Sequence, residues 1–108
     1  MIDLDKYINN SIRIKLFGKE FDILEPTIAM NMEMAKIEED LSEENLHEKR
    51  LEAGLLLLNH NKQGKEFTRK ELSALPFEAL TRVTAEIALL RLKADQNPNS
   101  ASRSPAEK

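Results

Sequence analysis

The stretch IAMNMEMAK, Ile28 to Lys36, decides the fold. Met30, Met32 and Met34 stand at every second position, the spacing of a half-buried strand, yet Ala, Met, Glu and Lys all favour helix. Pro26 just upstream has no N–H to give a sheet ladder, and Thr27 has a side chain suited to an N-cap. Wound as a helix over 28–41, the segment brings Met30, Met34, Ile37 and Leu41 into one stripe. Ile28, Met32 and Ala35 then fall on nearly the opposite side. The segment therefore reads as a helix with two apolar faces. One covers a neighbouring sheet; the other waits for a second helix or for a partner.

The sheet lies just upstream. In SIRIKLFGKEFDIL, Ile12, Ile14 and Leu16 alternate with Arg13 and Lys15, while Phe21 and Ile23 alternate with Glu20 and Asp22. This is a β-hairpin over 12–24 with one apolar face, and such a hairpin needs a helix to lie on. A Gly18-Lys19 loop suits a type II′ turn and sets Leu16 opposite Phe21, Ile14 opposite Ile23 and Lys15 opposite Asp22. Moving the loop to Phe17-Gly18 keeps the same faces but asks Phe17 for a positive φ, which is costly.

Downstream, Ser42 is the expected cap of a helix over 43–60, with Glu43 and Glu44 complementing its dipole. Its apolar residues fall into two stripes, one of Leu46, Ala53 and Leu57 around Arg50, the other of Leu51, Leu55 and Leu58. Gly54, in mid-helix, costs about 1 kcal/mol relative to Ala and implies close approach of a neighbouring backbone. In FTRKEL, Thr68 and Glu71 have capping-box spacing, and Phe67 and Leu72 that of a hydrophobic staple. A short helix over 69–75 ends before Pro76, which opens a longer one over 76–94. There Phe77, Leu80, Val83, Thr84, Ile87 and Leu90 share a face, and Ala85, Leu89 and Leu92 form a second, smaller strip. The chain thus reads as α+β: one domain over 1–94, a hairpin followed by about four helices, then a disordered tail over 95–108 that has no large apolar residue.

Composition narrows the functions. The 108 residues are 41% hydrophobic, 32% charged and only 5% aromatic, so aliphatic side chains and methionine must fill the core. There is no cysteine, which removes disulfides and thiolate metal sites. His47 and His60 are too far apart in sequence for a helical metal pair, and neither has a nucleophile nearby. The acidic runs Glu38-Glu39-Asp40 and Glu43-Glu44 point their carboxylates in different directions, as a solvated surface does. No glycine falls in a phosphate-cradling loop, so neither an enzyme nor a cofactor is expected. Net charge is −3, and the basic group Lys62, Lys65, Arg69 and Lys70 is too small and interrupted to follow a nucleic-acid backbone. The longest apolar run, Leu55 to Leu58, is far below a membrane span, and the N-terminus lacks the pattern of a signal peptide. What remains as a functional feature is apolar surface. Methionine is pliable and serves proteins that accept varied or incompletely folded partners. Ordinary core filling accounts equally for Met30 and Met34; Met32 fits it less well, because its face ends after Ala35.

Laid out in this way, the chain resembles the small tail assembly chaperones of long-tailed bacteriophages. The resemblance spans most of residues 12–94. It rests on IRIKLFGKEFDILEPTIAMNMEM, a hairpin around Gly-Lys-Glu followed by Glu-Pro-Thr and a helix, on the acidic, Leu-rich middle, and on FTRKELSALPFEALTRV, a threonine-capped turn leading through Leu-Pro into a helix. It implies a protein of the host cytoplasm, from a siphovirus or a prophage, that binds the tape-measure protein, recruits major tail protein around it and is absent from the mature virion. The competing expectation is a tail-completion or connector subunit of the particle. Ile28, Met30, Met32, Met34, Leu89 and Leu92 are the candidate partner-binding residues on our own reading of the two apolar strips. Those spare strips also make a homo-oligomer plausible.

Overall fold

Two strands and five helices follow one another in the computed structural model, which describes residues 1–96, with side-chain surroundings through residue 90. They are α1 (Asp5–Ile8), β1 (Ser11–Leu16), β2 (Lys19–Leu24), α2 (Ile28–Ile37), α3 (Leu46–Leu58), α4 (Arg69–Ser73) and α5 (Phe77–Gln96). The fold is α+β, an N-terminal antiparallel hairpin followed by helices. α1 is an addition to the expected elements; it has four residues and buries none of them. α5 runs two residues beyond its expected end, and the rest of the expected tail lies outside the described residues.

The hairpin has the expected faces and a different register. Ile12 pairs with Ile23, Arg13 with Asp22, Ile14 with Phe21 and Lys15 with Glu20, so the loop is Phe17-Gly18. Both loop residues have positive φ, 53° and 80°, as a type I′ turn requires. For Phe17 this conformation costs roughly 1–2 kcal/mol. The offset comes from charge. In this register Arg13 meets Asp22 through Nε and Nη2 (3.0 and 3.2 Å) and Glu20 through Nη1 (3.2 Å), whereas a Gly18-Lys19 loop would set it opposite Leu24. These cross-strand pairs, which exist only in this register, offset part of the turn strain.

The chain returns to the hairpin after α3. Leu24 N donates to the His60 carbonyl (2.9 Å), Lys62 N donates to the Asp22 carbonyl (3.0 Å), and Ile23 bridges to Asn61. Asn61 is buried: its amide donates to the carbonyls of Leu58 (2.7 Å) and Lys65 (2.9 Å) and accepts from Lys65 N (2.9 Å). A side chain thus locks the polar loop into a strand-like cover for β2. Among the described residues β1 pairs only with β2 and keeps an open edge.

Thr27 caps α2, its hydroxyl accepting from Met30 N at 3.1 Å. The helix ends at Ile37, short of the expected 41, and Leu41 lies beyond it, 50% exposed. Ser42 does not cap α3. Asn45 Oδ1 accepts from Ser42 N (2.8 Å) and Asn45 Nδ2 donates to the Asp40 carbonyl (2.8 Å), closing a turn that delays the helix to Leu46. A Cβ on Gly54 would come within 3.0 Å of Leu80 Cδ2, so the close neighbour is an α5 side chain rather than a backbone. The capping box is present, with Thr68 and Glu71 exchanging bonds in both directions, and Phe67 and Leu72 are buried. α3 is the centre of the packing, with α2, α4 and α5 resting on it and β1 resting on α5. Phe21, Ile23, Leu57, Leu58, Phe67, Leu72, Leu80, Val83 and Ile87 form the core, with the Phe21 and Phe67 rings edge to face at 5.1 Å.

Candidate partner-binding surface

Because α2 and α5 each pack on α3, a groove opens between them, with Leu57 of α3 among the residues lining it. Its volume is about 320 Å³. Met34 and Ala35 come from α2, Ile87 and Ala88 from α5, and Pro26 from the segment between β2 and α2. Thr84 contributes little polarity, since its hydroxyl is bonded to the Leu80 carbonyl at 2.7 Å. Glu25, Asn31 and Glu38 supply the polar contacts. The groove is thus apolar with two carboxylates among its lining residues, a shape suited to a helix carrying an apolar stripe flanked by basic residues.

The candidate residues divide around it. Met34 lines the groove and is half-buried against the core; Met30 packs on the core without lining the groove. Met32 is 62% exposed and Ile28 81% exposed, on the helix face of Ala35, which itself lines the groove. Leu89 is 43% exposed, next in sequence to Ala88. Leu92 lies outside the residues whose side chains are described. Met34, Ala35, Ile87 and Ala88 meet across one groove, whereas Ile28, Met32 and Leu89 are exposed outside its lining.

A second groove was not foreseen. It lies between β1 and α5, has a volume of about 420 Å³ and is lined by Ile12, Ile14, Leu16, Leu75, Leu80 and Val83, with Arg13, Lys15, Arg82 and Glu86 also contributing. Arg82 is held by Glu86 at 3.1 Å. The hairpin signalled two edges but not which of them the returning chain would cover; among the described residues the edge of β1 is the one left open. Also unforeseen is the exposure of Ile2, Leu4 and Ile8 at the N-terminus.

Three groups with shifted pKa values owe them to structural contacts. Asp22 is held below the usual carboxylate range by its hydrogen bonds from Arg13 and from Gln63. Glu71 is lowered by the backbone N–H of Thr68 and by Lys65. The Arg13 guanidinium is raised by Asp22 and Glu20. Among the described residues no three His, Asp or Glu side chains are placed to hold a metal ion, and no helix is long and apolar enough to cross a membrane. His47 lies edge-on to Phe77 at 5.0 Å.

Comparison with known proteins gives no match to a family model, to a curated protein or to a solved structure. The functional reading rests on the surface.

Proposed function

We propose that this chain is a phage tail assembly chaperone, acting in the host cytoplasm, that holds helical segments of the tape-measure protein against the α2–α5 groove and helps to recruit major tail protein. The observation that carries this reading is the pairing of a groove-lining methionine, Met34, with the solvent-exposed Met32 and Ile28 along one helix. Pliable apolar surface of this kind accepts many sequences and shields a long apolar helix from aggregation. Repeated copies along such a partner gain avidity while each contact stays weak.

Co-expression with the tape-measure protein tests it. The chaperone should keep that protein in the soluble fraction, and Ala35→Glu, which places a third carboxylate at the groove, should abolish the effect. Equal precipitation with and without this chain overturns the proposal. Mass spectrometry of purified particles should find the chain missing; its stoichiometric presence favours a tail-completion or connector subunit instead.

A further inference from the structure

We propose that the open edge of β1 accepts a strand from a second copy of this chain, and that the donor is the N-terminal segment Ile2–Asp5. The edge is defined by its register. In an antiparallel pair, opposed residues either exchange both backbone bonds or point them both outward. Asp22 and Leu24 use theirs on the outer side of β2, toward Lys62 and His60, so their partners Arg13 and Ser11 direct N–H and C=O to the free side of β1, and by alternation Lys15 does too. Among the described residues nothing takes the Arg13 and Lys15 backbone groups.

The side chains along this edge specify the strand that fits it. Along β1, Ile14 and Leu16 share one face and Arg13 and Lys15 the other, and all four border the groove against α5 at this edge. A second β1 would set arginine and lysine against arginine and lysine, so like charges oppose self-pairing of this edge. The fitting strand alternates apolar with acidic residues. Ile2-Asp3-Leu4-Asp5 does so, and Ile2 and Leu4 are 79% and 67% exposed with no place in the core.

Added antiparallel, Asp3 lies opposite Lys15 and Asp5 opposite Arg13, while Leu4 falls beside Ile14 and Ile2 beside Leu16 in the groove. Docking frees Asp5 from the first position of α1 and releases three exposed bonds, Asp5 N to Asp3 Oδ1 (3.1 Å), Tyr7 N to the Leu4 carbonyl (3.1 Å) and Asn9 Nδ2 to the Asp5 carbonyl (3.4 Å). Ladder bonds replace them. Within a single copy, Asn10 is tied to Glu25 and Ser11 and Ile12 pair with β2, so only Lys6 to Asn9 remain to turn the chain back onto its own edge, and a chain folded back in that way would stay monomeric. Donor and acceptor are different surfaces, so each copy can give and receive, and the assembly is head to tail. This contact holds whether or not the α2–α5 groove takes a tape-measure helix.

Light scattering and sedimentation of the full chain alone, over a concentration series, test it. Mass should rise with concentration. Leu4→Lys, which removes an apolar anchor, should weaken association about ten-fold or more. Lys15→Glu should weaken it as well, and combining Lys15→Glu with Asp3→Lys should restore it. All three positions are exposed or at an edge, so circular dichroism should stay unchanged. A monomer at every concentration, association indifferent to both single variants, or no recovery in the charge swap would each overturn the proposal.

Discussion

Phe17 is where local preference and register disagree most openly. Its positive φ is unfavourable for an aromatic residue, and its side chain is exposed, so nothing in the core repays the strain locally. Phe17→Asn, which creates the Asn-Gly pair that type I′ turns favour, should raise stability by about 1 kcal/mol, read as a higher urea midpoint at unchanged slope. A loop at Gly18-Lys19 would predict no gain. The strain at Phe17 was legible in sequence; its compensation was not, because the contacts of Arg13 with Asp22 and Glu20 exist only once the register is chosen. The same side chains set the acid response. Asp22 and Glu71 both have lowered folded-state pKa values, so their stabilisation is complete above the unfolded carboxylate range, near pH 4, and is lost as pH falls through the folded values. Thermal midpoints should be flat from pH 7 to pH 5 and fall below pH 4, with a shallower fall in Asp22→Asn.

At the scale of elements, periodicity located the hairpin and all the longer helices, and the two-faced character of α2 stands. Met30 and Met34 pack on the core, while Met32 and Ile28 face solvent. The two kinds of methionine should respond differently to truncation. Met34→Ala should cost about 1 kcal/mol or more in chemical denaturation, since it removes half-buried packing. Met32→Ala should leave stability within about 0.5 kcal/mol of the parent while weakening the proposed retention of tape-measure protein in the soluble fraction. Helix ends were less legible. Ser42 has the chemistry of a cap, but the Asn45 side chain closes the preceding turn and delays α3, a choice between two neighbouring polar residues that propensity does not decide. α2 closes at Glu38, where Glu39 N turns back to the Lys36 carbonyl (3.2 Å), so the stripe drawn through Leu41 ends early, at Ile37.

For the molecule as a whole, α5 gives a wall to both grooves, and α3 lines each through one residue, Leu57 in the first and Leu58 in the second. Thr84, Ile87 and Ala88 face α2, and Ala79, Arg82, Val83 and Glu86 face β1, from opposite sides of the helix. The α2–α5 groove was only partly legible: Ala35 belongs to an expected spare strip, but Met34, Thr84 and Ile87 come from the stripes expected to face the core. The other required knowing which hairpin edge the chain covers on its return, a long-range pairing that no local pattern encodes. That return depends on Asn61, whose amide serves three backbone groups from a buried position. Asn61→Ala should cost about 1–3 kcal/mol through the backbone groups it strands. The loss goes beyond stability. A hairpin sealed along one flank cannot act as the repeating rung of an endless sheet, because growth stops wherever the sealed flank is met. Once Asn61 no longer pins the seal, both flanks lie bare, and the protein should form thioflavin-positive fibres in conditions where the parent chain stays clear.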